Sequence, residues 1–148
     1  MILATADDTR AYGAKLAAVL RAGDLVVLTG PLGAGKTVLV QGIGAGLGVP
    51  GRVLSPTFVI ARVHRGGQLP LVHVDAYRLG SIEEVDDLDL DVDLADSVLV
   101  VEWGEGKVEQ LADARLSVEL TRAPDSEART LTVRPHGGDW ADRVAALM

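Results

Sequence analysis

The chain has 148 residues, of which 48% are hydrophobic, and it carries a formal net charge of −7 and no cysteine. This length and composition exclude a disordered chain and predict a single folded domain over residues 1–148. The absence of cysteine excludes disulfides and thiolate metal sites. No apolar run approaches the ~20 residues of a membrane helix, and the N-terminus lacks the basic region of a signal peptide. We therefore expect a cytoplasmic protein.

The negative charge is concentrated between Glu83 and Asp96, where eight acids occur without a lysine or arginine. Nucleic-acid sites need clustered basic side chains, so this charge balance argues against direct nucleic-acid binding by the chain alone. The acidic stretch is compatible with a solvated face and with a surface that docks a basic partner.

The first predicted elements are a helix, a strand and a second helix. Thr5 and Asp8 form a capping-box pattern that opens a helix predicted to run to Arg21. The apolar run at 24–29 predicts a strand, and the helix after the next loop is predicted over 37–47 with Gly48 as its stop.

The loop between that strand and helix, Gly30-Pro-Leu-Gly-Ala-Gly-Lys-Thr37, fits the Walker A pattern G-x-x-x-x-G-K-[ST]. Its glycines let backbone N–H groups surround a phosphate at a helix N-terminus. Lys36 would reach the β and γ phosphates, and the Thr37 hydroxyl would bind Mg²⁺. The predicted nucleotide contacts in this loop are Gly30, Leu32, Gly33, Ala34, Gly35, Lys36, Thr37 and Val38.

The rest of the chain mixes strands and helices. Apolar runs bounded by turn residues predict strands at 58–64, 71–75, 97–102, 115–122 and 129–134. Short helices are expected from Ser81 and near 105–111, and a last helix over 139–147 would place Trp140 in the core. The order predicts an α/β fold of the P-loop NTPase type, with a mixed, mainly parallel central sheet flanked by helices.

Two predicted strands end in an acid, Asp75 and Glu102. In such sheets, ligands bind at the C-terminal edge of the strands, which is where both acids are expected. A Walker loop needs a neighbouring acid to hold Mg²⁺ for hydrolysis. We therefore expect Asp75 and Glu102 to join Lys36 and Thr37 as catalytic and metal-binding residues, while the sequence leaves open which acid touches the metal.

Together, four blocks resemble the bacterial TsaE (YjeE) ATPases: the Walker loop, Ser55-Pro-Thr-Phe58, His73-Val-Asp-Ala-Tyr-Arg-Leu79 and Val101-Glu-Trp103. The resemblance implies an ATP- and Mg²⁺-binding ATPase. Its intrinsic activity is expected to be low and to be stimulated by partners, because hydrolysis in this fold often depends on charge that a partner supplies at the γ-phosphate. The resemblance further implies work with TsaB and TsaD in forming threonylcarbamoyladenosine at position 37 of tRNAs that read ANN codons. Contact with tRNA would then be indirect, through the complex.

The resemblance also implies roles for single residues. Thr57 would sense the γ-phosphate, and Asp75 would be the Walker B acid. Glu102 would be the second acid, at Mg²⁺ or the attacking water, and Trp103 would lie beside the nucleotide.

Two other classes of function remain as alternatives. A small-molecule or nucleoside kinase needs a second-substrate pocket and usually an arginine-rich lid, and no such lid segment follows the Walker loop. A GTP-dependent switch generally carries an Asn-Lys-x-Asp element, which is missing from this sequence. His64, His73 and His136 show no metal-binding spacing and are predicted to be structural or surface residues.

Overall fold

A computed structural model of the chain describes residues 1–31, 35–50, 61–75, 96–102, 114–122 and 125–147. These residues contain seven strands and three helices. The strands are β1 (Ile2–Leu3), β2 (Leu25–Thr29), β3 (Ala61–His64), β4 (Leu71–Asp75), β5 (Val98–Glu102), β6 (Arg115–Arg122) and β7 (Arg129–His136). The helices are α1 (Ala6–Ala17), α2 (Lys36–Gly46) and α3 (Trp140–Ala145). The short helices predicted from Ser81 and near 105–111 lie outside the described residues.

All seven strands form one sheet in the order β1-β7-β6-β2-β5-β4-β3. The central strands β6, β2, β5 and β4 are parallel, while β7 and β3 run antiparallel to their neighbours. The predicted α/β class with a mixed, mainly parallel sheet is therefore confirmed. The strand that precedes the Walker loop, β2, lies inside the sheet with a parallel neighbour on each side.

The central strands are buried on both faces, as expected for parallel strands with apolar runs. Every residue of β5 is buried, and so are residues 25–28 of β2. Val26, Leu28 and Val100 belong to a core cluster that also contains Leu39 and Ile43 of α2. Alternate side chains of the central strands thus pack on α2, the Walker helix, which follows the Walker loop.

The predicted start of α1 is confirmed by its capping box. The backbone N–H of Thr5 donates to Asp8 Oδ2, and the N–H of Asp8 donates to Thr5 Oγ1, each at 3.2 Å. The helix ends at Ala17 and not at Arg21, because residues 18–20 continue in tighter turns whose N–H groups bond three residues back.

Helices α1 and α2 contact each other backbone to backbone. A Cβ added at Gly42 would lie 2.1 Å from the carbonyl oxygen of Arg10, and one at Gly13 would lie 2.3 Å from that of Leu39. No side chain fits at these distances, so glycine sets the spacing of the two helices. This contact fixes where α2 lies over the sheet.

The C-terminal helix α3 binds the turn that precedes β2. Arg143 Nη1 donates to Asp24 Oδ2 at 2.6 Å and to the Val19 carbonyl at 3.1 Å, and its guanidinium lies 4.1 Å from the Trp140 ring centroid. Trp140 is 1% exposed, as its predicted core position requires. The ion pair with Asp24 and the hydrogen bond to Val19 therefore attach α3 to the turn before β2, while the cation–π contact lies within α3.

Two features of the sheet were not predicted. β1 pairs Ile2 and Leu3 with Thr130 and Arg129 of β7, and a two-residue strand is too short to show a period in the sequence. β7 also continues to His136, two residues beyond the predicted end. Among the described residues, no helix is long and apolar enough to cross a membrane.

His64 is a half-buried histidine at the end of β3. Its Nε2 is enclosed and has no hydrogen-bond partner. Burial lowers the pKa of His64, and the nearby His73 and Arg62 lower it further. The fold therefore favours neutral His64.

We expect Gly42→Ala to destabilise the fold by at least about 2 kcal/mol, because overpacking outweighs the ~1 kcal/mol that alanine gains in a helix. Thermal unfolding should show a loss of roughly 2–4 °C for each kcal/mol in a chain of this size. Ala45→Ser, at an exposed position of the same helix, should change the free energy of unfolding by less than ~0.5 kcal/mol. An unchanged midpoint in Gly42→Ala would contradict the close helix contact.

We expect the pH dependence of stability to contain a contribution from His64. Since its pKa is lower in the folded than in the unfolded chain, the unfolded chain binds more protons as the pH falls through the ordinary histidine range near ~6.5. Stability from this group is present above that range and is lost below it. The free energy of unfolding, measured in urea, should thus change less between pH ~7.5 and ~5.5 in His64→Gln than in the wild type. An equal pH dependence of the unfolding free energy in the two proteins would contradict this assignment.

Candidate functional site

The end of the Walker loop has a backbone conformation that favours glycine. Gly35 has a φ of +100° and occupies the N-cap position of α2, which begins at Lys36. No side chain caps this helix start by a hydrogen bond. The N–H groups of the first turn are therefore oriented towards the loop without a side-chain acceptor, as an anion site at a helix N-terminus requires.

Lys36 turns its amine back onto the start of the loop. The residue is 6% exposed, and Nζ donates to the carbonyl oxygens of Gly30 and Pro31. Thr37 and Val38 follow in the first turn of α2 and are half-buried. The loop's own carbonyls thus satisfy part of the charge of the buried ammonium group.

The two candidate acids end neighbouring strands at the same edge of the sheet. In the register of the parallel strands, Glu102 pairs with Leu28 on one side and with the backbone of Asp75 on the other. Neighbouring strands lie about 4.8 Å apart. Glu102 is therefore one strand from the strand that leads into the Walker loop, and Asp75 is two strands away.

The Glu102 carboxylate is buried and hydrogen-bonded. The residue is 6% exposed, and its Oε2 lies 2.8 Å from Nε2 of His73, which is fully buried. The prediction that His73 is a structural or surface residue did not include this contact. Side chains alternate along each strand, but His73 and Glu102 can be placed on the same face only when the register of β4 against β5 is known. The sequence alone does not give that register.

A guanidinium also lies beside the Walker loop. A Cβ built on Gly35 would meet Arg129 Nε at 3.4 Å, so the arginine side chain passes close to the start of α2. Its Nη1 donates to the Glu127 carbonyl at 2.7 Å. Sequence reasoning missed Arg129, because the pairing of β7 with β6 and β6 with β2 brings it to this edge across some 90 residues of chain.

Several predicted site residues are not placed. Leu32, Gly33, Ala34, Thr57 and Trp103 lie outside the described residues, so their roles stay predictions. The described residues contain no group of three or more His, Cys, Asp or Glu side chains that could hold a metal ion.

The described side chains fit a magnesium nucleotide in kind. A threonine hydroxyl and a carboxylate, those of Thr37 and Glu102, are the oxygen donors that Mg²⁺ accepts. The ammonium of Lys36, the guanidinium of Arg129 and the uncapped helix start supply positive potential for phosphates. The arrangement can therefore bind an anion and a hard divalent cation at one sheet edge.

Comparisons with known proteins agree on one family. A sequence model described as "Threonylcarbamoyl adenosine biosynthesis protein TsaE" matches residues 3–131. The chain is 60% identical over 145 residues to a protein of Streptomyces coelicolor named tRNA threonylcarbamoyladenosine biosynthesis protein TsaE, covering 94% of this chain and 98% of that protein. A protein of the same name from Mycobacterium tuberculosis is 50% identical, over 85% of this chain and 80% of its own length.

The fold is similar to that of a solved structure. The crystal structure of YdiB from Bacillus subtilis matches with a TM-score of 0.81 and 32% sequence identity, covering 99% of this chain and 91% of that one. The similarity thus extends over nearly the whole of both chains.

Proposed function

The chain belongs to the TsaE family of threonylcarbamoyl adenosine biosynthesis proteins, and we propose that it is the ATP-binding and ATP-hydrolysing subunit of that pathway. The product of the pathway would be threonylcarbamoyladenosine at position 37 of tRNAs that read ANN codons. The whole chain, residues 1–148, would act as one P-loop ATPase in the cytoplasm.

The register of three parallel strands is the observation that carries this proposal. It brings the end of β2, and with it the Walker loop, next to the ends of β5 and β4. A phosphate-binding loop beside a buried carboxylate is the arrangement that nucleotide hydrolysis requires. The same edge also carries Lys36 at the start of α2.

Each described residue of the site has a distinct proposed role. Lys36 would leave the carbonyls of Gly30 and Pro31 to bind the β and γ phosphates, and Gly35 would allow backbone N–H groups to approach them. Thr37 and Glu102 would hold Mg²⁺, since β5 lies directly beside β2. When bound, the ion would neutralise charge on the phosphates.

The remaining roles rest on the resemblance of the sequence blocks. Asp75 would be the Walker B acid, which acts on the metal directly or through a water. Thr57 would sense the γ-phosphate, and Trp103 would contact the nucleotide. Gly30, Leu32, Gly33, Ala34 and Val38 would complete the nucleotide contacts of the Walker loop.

TsaB and TsaD are the proposed partners, with tRNA bound through their complex. Phosphoryl transfer in P-loop proteins often needs a positive charge from a partner at the γ-phosphate. We therefore propose a low intrinsic rate of ATP hydrolysis that rises in the complex. The family match favours this proposal over a small-molecule or nucleoside kinase.

ATP turnover by the purified chain, with and without TsaB, TsaD and tRNA, tests the proposed function. We expect slow hydrolysis alone and a rise of about tenfold or more in the complete mixture. Lys36→Ala should lower the stimulated rate by about 10²–10³-fold, the usual effect of losing one donor to developing transition-state charge. Lys15→Ala, at an exposed position of α1, is the matched control and should keep the wild-type rate.

Fast hydrolysis without partners would overturn the proposed regulation. Normal turnover and normal tRNA modification by Lys36→Ala would overturn the ATPase assignment itself. Phosphorylation of nucleosides in place of partner-stimulated hydrolysis would support the kinase alternative.

The two acids should be separable by their magnesium dependence. Glu102→Gln and Asp75→Asn should each lower hydrolysis by at least about tenfold and retain nucleotide binding. The Mg²⁺ concentration for half-maximal rate should rise more in Glu102→Gln, because β5 lies one strand closer to the Walker strand than β4 does. The measurement is the steady-state rate at a series of free Mg²⁺ concentrations.

Glu119 provides a control acid at the same edge. It pairs with Thr29 on the other side of β2, where alternation places it on the opposite face from Leu28 and Glu102. Glu119→Gln should keep hydrolysis within about twofold of wild type, since only a half-exposed pair with Arg134 is lost. If Asp75→Asn shows the larger magnesium shift, the metal assignments of the two acids are reversed.

A further inference from the structure

We propose that His73 is a positioning residue, which holds one oxygen of the Glu102 carboxylate so that the other can serve the bound metal ion. The inference rests on the proposed function, because it assigns His73 to the same site. His73 lies inside β4 and not at the end of the strand. In this proposal it contacts neither the nucleotide nor the metal.

The geometry of β4 and β5 produces the contact. His73 pairs with Val100, and Glu102 follows Val100 by two residues on β5. The two side chains are therefore diagonal neighbours on one face of adjacent strands. His73 Nε2 lies 2.8 Å from Glu102 Oε2, and the exposed fractions of the two side chains are 0% and 8%.

The surroundings of the ring select one tautomer. Nδ1 of His73 is buried and has no hydrogen-bond partner. A proton on Nδ1 would be a buried donor without an acceptor, so a proton on Nε2 is favoured over one on Nδ1. In that form Nε2–H donates to Glu102 Oε2.

The hydrogen bond limits the motion of a long side chain. Glu102 is the last residue of β5, and a glutamate has three rotatable side-chain bonds. Because Oε2 accepts this hydrogen bond, the carboxylate keeps an orientation in which Oε1 is left for another partner. Hydrogen bonds to a metal-ligating carboxylate commonly determine metal affinity in this way.

The pattern of satisfied and unsatisfied atoms argues against simple core filling. An aliphatic side chain would fill the interior of β4 without leaving Nδ1 unpaired. A histidine at this position is explained by the contact of its Nε2. The partner of Nε2 is the carboxylate that we propose for the metal.

Three substitutions separate positioning from packing. His73→Leu removes the donor, His73→Gln can place an amide N–H near the position of Nε2, and His73→Asn keeps a polar side chain that is too short to reach Glu102. Binding of Mn²⁺ to the protein–ADP complex, followed by electron paramagnetic resonance of the free ion, measures metal affinity without turnover. ADP affinity in EDTA and the unfolding midpoint of each variant measure nucleotide binding and folding.

We expect His73→Leu and His73→Asn to weaken Mn²⁺ binding by about 10–100-fold, the usual effect of removing such an outer contact. His73→Gln should stay within about threefold of wild type, and ADP affinity without metal should be unchanged in all three. In a Glu102→Gln background, His73→Leu should cause no further loss of Mn²⁺ affinity.

Equal Mn²⁺ affinity in His73→Asn and His73→Gln would overturn the inference, and this comparison remains decisive if His73→Leu does not fold. A further loss in the Glu102→Gln background would also overturn it. If Glu102→Gln itself binds Mn²⁺ as wild type does, the proposed metal role of Glu102 fails. If Glu102→Gln weakens binding while the His73 variants do not, only the positioning role fails.

Discussion

The register of the parallel strands β2, β5 and β4 is the constraint on which the proposed site depends. Side chains alternate along a strand, so a shift of one residue would move Glu102 to the opposite face, away from His73. Close packing on both faces opposes such a shift, because valine and leucine of β5 would exchange faces and no longer fit their neighbours. The same packing that stabilises the sheet therefore fixes the carboxylate in place.

The position of the Walker helix is a second, independent constraint. The sheet fixes where the loop begins at Gly30, but the close approach of α1 and α2 fixes where it ends at Lys36. Backbone contact through Gly13 and Gly42 leaves no side chains that could repack to absorb a change. Helix α1 contains none of the predicted site residues, yet its packing on α2 fixes where the helix that follows the Walker loop begins.

The parts of the fold that could be predicted from the sequence are those with local causes. The capping box of Thr5 and Asp8 and the acid-terminated strands are written in residues a few positions apart. The contact of His73 with Glu102 and the approach of Arg129 to Gly35 join residues that only register and strand order bring together. Such contacts leave no local signal in the sequence, so the sequence did not predict the contact of His73 or that of Arg129.

Lys36 and Glu102 place two ionisable groups in nearly buried positions, where loss of water costs several kcal/mol for each charge unless partners replace it. The partners of the two groups differ in what nucleotide binding does to them. A phosphate that accepts from the Lys36 ammonium would compete with the Gly30 and Pro31 carbonyls, so that part of the binding energy would be an exchange of hydrogen bonds. The bond from His73 to Glu102 uses one carboxylate oxygen and can persist beside a metal on the other. In the proposed site, nucleotide binding would thus exchange hydrogen bonds on the loop side, whereas the hydrogen bond on the acid side would be kept.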